Sequence, residues 1–229
     1  MNGLMVFSTV SEVSILIPVA IILLRRKYLS TELRILAAYV VVTLIRNIFG
    51  VTSDILYFIE PGRNFHTLFY YNWHSIIGFY IIAFLYFSLI HHKYWKIFII
   101  VAACIFTFFS ILEIPSGSIT DIRTAFFNNY TYTASSLLVL VIVLAYFYQL
   151  LQDLKVENIT KFPYFWVSVG LLFYFGGNLF VNLFLIKAAK TTTQMSWGII
   201  NSALSILFHL TIFLAFWYSK SLNKTQQDE

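Results

Sequence analysis

An arginine, Arg46, stands inside an otherwise apolar run, TLIRNIFG at 43–50. A guanidinium stays protonated in any protein environment, so at membrane depth it calls for a carboxylate, a polar cavity or an anionic ligand. Two carboxylates are placed to serve: Glu12 in the first apolar run, and Asp54 two turns further along the run that carries Arg46. A fixed cation with an exchangeable carboxylate is the chemistry of anion binding or proton coupling, whereas the same pair held rigidly is a structural ion pair. Further polar side chains punctuate later apolar runs: Asn72 and His74, Asn178 and Asn182, Asn201 and Ser205, with His209 deeper. Asn and Ser in such runs hydrogen-bond neighbouring helices as readily as they hold a ligand, so each has a structural reading beside the functional one.

Other chemistries find less to work with. The single cysteine, Cys104, lies in IFIIVAACIFTFF and leaves no disulfide or Cys/His zinc spacing. The histidines form no HxxxH pair like that of seven-helix zinc hydrolases. A metal held by two histidines with Glu12 or Asp54 is a weaker alternative, and no metal site or catalytic residue is assigned. Retinal bound as a Schiff base is excluded, because every lysine falls in a loop or at a helix end; no other cofactor is assigned. A lipid-directed enzyme lacks an assembled nucleophile, so the chain reads as a binding protein rather than an enzyme.

The elements that must position these residues follow from composition. Of 229 residues 59% are hydrophobic, 19% aromatic and only 11% charged, more apolar surface than a soluble fold could bury. About 20 apolar residues make one crossing, which divides the chain into seven spans near 5–24, 32–57, 67–90, 95–113, 125–151, 163–186 and 196–218. The expected fold is all-α: a single polytopic domain over 1–229, folded as a seven-helix membrane bundle. Arg25, Arg26 and Lys27 follow the first run and nothing basic precedes it, which marks an inserted helix rather than a cleaved signal.

Lys and Arg on alternating sides divide ten (Arg25, Arg26, Lys27, Arg34, Lys93, Lys96, Lys155, Lys161, Lys220, Lys224) against four (Arg63, Arg123, Lys187, Lys190). The positive-inside rule then places the N-terminus outside and the C-terminus inside. The net charge of +5 is spread over short loops in no continuous stripe, so nucleic acid is not an expected partner; membrane lipid is. Breakers at 60–64 (EPGRN) and 114–121 (IPSGSITD) mark outer turns, and Pro163 opens the sixth helix.

At 1.5 Å per helical residue, Arg46 lies ~18 Å and Glu12 ~20 Å from the inner basic anchors, with His74, Asn178 and Ser205 at ~22–26 Å and Asn72, Asn182 and Asn201 higher. Polar groups gathered in the outer half of a bundle define an interior pocket facing outward. Arg46 would hold an anionic group there, with Glu12 exchanging for it; His74 and Asn178 would orient the ligand; Tyr70 and Trp73 would cover the mouth. Asp54, Asn72, Asn201 and Ser205 complete the candidate set.

YFWVSVGLLFYFGGNLF at 164–180, LSTELRILAAYVVVTLI at 29–45 and the closing FLAFWYSK together resemble an uncharacterised group of small bacterial seven-helix inner-membrane proteins. The resemblance implies topology and a bacterial inner membrane, and no activity. A 3+1+3 division is also similar to small sugar-permeating transporters with parallel triple-helix repeats. RNIF at 46–49 matches GNLF at 177–180, and Asn72 with FLYF matches Asn201 with FLAF, at offsets of 131 and 129. Those transporters carry prolines in both repeats, whereas here Pro18 alone lies within a span. The functional expectation is a receptor-like or sensory protein with a pocket for a small ligand, signalling through a separate cytoplasmic protein because no stretch reads as a soluble domain; the alternative is a small-solute transporter.

Overall fold

The computed structural model describes residues 3–59, 67–113, 129–153, 159–184 and 191–220. These are helical: α1 Gly3–Val13, α2 Leu16–Arg25, α3 Thr31–Ile59, α4 Thr67–Leu89, α5 Lys93–Glu113, α6 Asn129–Asp153, α7 Pro163–Phe184 and α8 Thr191–Trp217. Seven segments are long and apolar enough to cross a membrane, with α1 and α2 together forming the first. In hydrocarbon a backbone must satisfy its own polar groups, which is why such apolar runs form helices. The expected turns at 60–64 and 114–121, and the basic residues Arg63, Arg123, Lys155, Lys187, Lys190 and Lys224, lie outside the described residues.

Side chains complete the hydrogen bonding where helices end. Ser30 Oγ accepts from Leu33 N at 3.3 Å and caps α3. Gln149 on α6 accepts from His91 N at 2.9 Å and donates to Leu89 O at 3.3 Å, serving both the end of α4 and the start of α5. Glu113, at the end of α5, accepts from Thr131 N at 3.0 Å in the first turn of α6.

The first span is not the continuous helix its hydropathy predicts. It breaks at Ser14 and Ile15, between α1 and α2. Pro18 has no N–H to give Ser14 O four residues back, and its ring crowds that carbonyl; Ser14 O instead accepts from Ile17 N in a tighter turn, at 3.1 Å.

The main helix contacts describe a ring of six. The α1/α2 span packs on α3, α3 on α4, α4 on α6, α6 on α7, α7 on α8, and α8 back on α1 and α2. Helix α5 stands outside this ring against α6 and α4, and only 22% of its length is buried. Taken in ring order, the spans are one, two, three, then five, six, seven. This is the order two parallel triplets would give, with the fourth span set aside as a connector.

The ring is closed by apolar packing, with Ile15, Leu36, Val40, Ile82, Leu171, Ile212 and Phe216 almost wholly buried. Tyr86 on α4 reaches Ser168 on α7 across it, 2.7 Å between hydroxyl oxygens. At one end of the bundle Tyr164 on α7 bonds Ser30 Oγ at 2.7 Å and donates to Glu32 at 3.1 Å. At that same end Arg25 lies over the Trp217 ring and Lys220 over Tyr28. The end of α2, the start of α3, the start of α7 and the end of α8 therefore share one face, which carries much of the basic cluster.

Candidate functional site

Tyr39, Thr43 and Arg46 recur at helical spacing on one face of α3. With His74 from α4, Tyr174 from α7, and Ser205, Phe208 and His209 from α8, they line a cavity inside the ring. Its free space takes about one water-sized molecule. Phe208 stacks on Tyr174 at 5.1 Å between centroids and meets Tyr39 edge-on at 5.9 Å, while Tyr39 lies 5.8 Å from the His74 ring. Aromatic rings from three helices thus pack together in the lining, which also carries cationic and hydrogen-bonding groups.

Side-chain direction explains how residues from different depths meet. Helical side chains lean toward the N-terminus of their helix. Helices α3 and α8 run in opposite directions, so Arg46 leans toward the end of the bundle that carries Arg25 and Trp217 and His209 leans away from it, and both reach one cavity. Residue counting alone placed His209 below the polar group.

Arg46 donates from Nε to Asn47 Oδ1 at 2.8 Å, and Nη2 donates to the same oxygen. Asn47 in turn donates from Nδ2 to the Glu12 backbone carbonyl at 2.8 Å, just before the break in the first span. The Glu12 carboxyl packs against Gly50, one turn beyond Arg46, where a Cβ would collide with it. Glu12 and Asn47 are 6% and 2% exposed, so this junction between α1 and α3 is dry. The two charges expected to share a level do meet one interface, through an asparagine that the sequence reading left out.

The ring hydrogens of the two histidines follow from counting hydroxyl protons. Thr43 Oγ1 lies 2.9 Å from Tyr39 O and 3.0 Å from His74 Nε2. A carbonyl oxygen only accepts, so the one hydroxyl proton goes to it, and His74 Nε2 must donate to the hydroxyl. Ser14 Oγ is likewise 2.6 Å from Ser11 O and 2.6 Å from His209 Nδ1, which assigns the donor to His209 Nδ1. Two oxygens 2.6 Å apart without a proton between them would repel. His74 Nδ1 and His209 Nε2 are the ring nitrogens left over.

Of the candidate set, Arg46, His74 and Ser205 line the cavity, and Glu12 lies outside the lining, at the α1–α3 junction reached through Asn47. Ser205 Oγ donates back to Asn201 O at 2.9 Å. Asn178 is 1% exposed and donates from Nδ2 to Tyr174 O at 2.8 Å, which places it a turn from the cavity rather than in its lining. Asn72 is buried at 3% and Asn201 half-buried, and neither lines the cavity. Trp73 is 41% exposed and is not among the lining residues, since consecutive helical residues point about 100° apart and His74 lines the cavity. The side chains of Asp54, Tyr70 and Asn182 lie outside the described residues.

Tyr39, Thr43, Tyr174, Phe208 and His209 complete the lining without having been singled out for it. The spacing of 39, 43 and 46 on α3, and of 205 and 209 on α8, was a readable signal. Among the described residues no group of three or more His, Cys, Asp or Glu is gathered where it could hold a metal ion.

Comparison with protein families, with characterised proteins and with solved structures finds no match to this chain.

Proposed function

We propose that this chain is a receptor-like integral membrane protein that binds a small, anion-bearing ligand in the cavity about Arg46 and signals through a separate partner. Its kinship would be with small seven-helix proteins of the bacterial inner membrane, N-terminus outside. The observation that carries the reading is that Arg46, His74 and His209 reach one cavity from three helices of the ring. A guanidinium at such depth costs about 3 kcal/mol on insertion scales, an expense that a purely apolar packing residue would avoid. The cavity is water-sized, so a larger ligand enters only as the lining moves.

The test is thermal unfolding of purified wild type and Arg46→Gln in detergent against small anionic metabolites. A ligand at a hundred times its Kd stabilises by about 2.7 kcal/mol, a rise of about 5–10 °C for a chain of this size. The expected result is that rise in wild type and none in a folded Arg46→Gln. A variant that merely unfolds earlier, with no ligand moving wild type, would make Arg46 structural.

A second reading, a small-solute transporter, draws on two observations. The ring has the order of two parallel triplets with one span set aside, and the first span is broken at Ser14, whose hydroxyl contacts the cavity residue His209. Broken helices beside a central site are a recurrent feature of carriers. Solute-dependent proton or counter-ion flux in proteoliposomes would favour this reading over the receptor.

A further inference from the structure

We propose that the ligand of the Arg46 cavity is an oxyacid anion that keeps protons of its own, of which dihydrogen phosphate is a compact example, and not a fully ionised or proton-free anion. The inference rests on the reading of this cavity as an anion-binding site. It is carried by the two histidines. Thr43 and Ser14 each give their only proton to a backbone carbonyl, so His74 spends Nε2–H and His209 spends Nδ1–H on those hydroxyls.

In their neutral forms the rings therefore keep His74 Nδ1 and His209 Nε2 as acceptors, and both residues line the cavity with Arg46. An occupant held by Arg46 between these two rings meets a cation and, where it reaches the free ring nitrogens, groups that can only accept a proton. Chloride, sulfate or an ionised simple carboxylate meets the guanidinium but has no hydrogen to give, and sets its lone pairs against those of the imidazoles. An oxyanion with O–H groups offers a bare oxygen to Arg46 and hydrogens to the rings. Tyr39 and Tyr174, whose hydroxyls both donate and accept, fit either arrangement and do not decide between them.

Phosphate and sulfate share a tetrahedral shape, but in mildly acidic buffer sulfate is a dianion with no hydrogens, so formate, a monoanion that has none to give, is added to separate charge from hydrogen donation. Unfolding of the detergent-purified full chain is followed in mildly acidic buffer, where inorganic phosphate is chiefly its monoanion, against phosphate, sulfate and formate. Sites built around a ligand's hydrogens reject analogues lacking them by large factors. Phosphate is expected to stabilise at concentrations at least about a hundredfold below sulfate or formate. Stabilisation by sulfate or formate at equal or lower concentration would overturn the proposal and leave anion binding at Arg46 standing. A wild type that neither a free anion nor phosphatidic acid stabilises would overturn both.

Nanodiscs of phosphatidic acid against phosphatidylcholine, free of inorganic phosphate, separate the source: stabilisation by that lipid with none by the free ion keeps the anion class and assigns it to a headgroup. A second measurement does not depend on any ligand. Nitrogen-15 NMR of histidine-labelled protein, assigned with His74→Gln and His209→Gln, should show His74 protonated at Nε2 and His209 at Nδ1. The reverse tautomer at both would remove the acceptors from the cavity and sink the proposal.

Discussion

Asn47 joins two charged residues, holding Arg46 by its oxygen and the Glu12 backbone carbonyl by its nitrogen. Asn47→Ala leaves a buried carbonyl without this donor and the guanidinium without this acceptor, and should destabilise by about 2–3 kcal/mol in thermal unfolding. Asn47→Asp keeps an oxygen for Arg46 and adds a negative charge beside it, while an acceptor replaces the donor against the Glu12 carbonyl; a smaller loss than in Asn47→Ala is expected, and an equal loss would mean that the Arg46 contact contributes nothing. Arg46 was legible in the sequence because a charge in an apolar run is conspicuous. Asn47 beside it was not, since an asparagine in a membrane helix reads as ordinary glue until the carbonyl it serves is known. The histidines were visible as residues, but their free nitrogens emerge only from the hydroxyls beside them.

Among the elements, the first span and the α7–α8 pair depart most from what periodicity conveys. Hydropathy marks residues 5–24 as one apolar run and is blind to where its backbone bonds fail. Pro18 was the available signal, and the break falls a turn before it because the proline acts on the carbonyl four residues back. Pro18→Ala should restore a continuous helix, seen as slower amide exchange across 14–18 and a weakened Ser14–His209 contact; unchanged exchange would assign the break to the packing of Asn47 and His209. In α7 the adjacent glycines Gly176 and Gly177 suit close approach of a neighbouring helix. That holds at Gly177, where a Cβ would come within 2.8 Å of Leu204 Cδ2, while at Gly176 it would meet Leu140 at an ordinary 3.7 Å. The tighter contact is at Gly170, where a Cβ would run into the Thr211 hydroxyl oxygen, with Thr211 Cβ and Phe208 Cδ2 each 3.0 Å away. Gly170→Ala therefore has to part α7 from α8, which overpacking data put at about 1–3 kcal/mol. Because Phe208 lines the cavity, ligand-dependent stabilisation should fall as well; loss of stability with ligand response intact would mean that the cavity is insulated from this seam.

At the scale of the whole molecule, the number and approximate bounds of the apolar helices were legible, because length and hydropathy alone determine them. The ring order was not, since every helix here has apolar residues on all sides and no stripe names its neighbour. The repeat offsets gain meaning from that ring. At an offset of 131, Asn47 corresponds to Asn178, and both are buried on the second helix of their triplets. The first is turned to the α1 carbonyl and the second to its own helix, so whatever symmetry relates the halves is broken at the charge: Gly177 stands where Arg46 would recur. The orientation of the ring in a membrane is a prediction from charge. Arg25, Lys27, Lys96 and Lys220 sit on spans whose ends the positive-inside rule places inside, and the loop holding Asn64 falls opposite. In a Cys104→Ser background, a membrane-impermeant maleimide added to intact cells should label Asn64→Cys and not Lys220→Cys, with the pattern exchanged in inverted vesicles. The exchanged pattern in intact cells would invert the topology and turn the Arg46 side of the bundle inward. Labelling of both positions from one side would be incompatible with Asn64 and Lys220 lying on opposite faces, and would require one of the five spans between them not to cross.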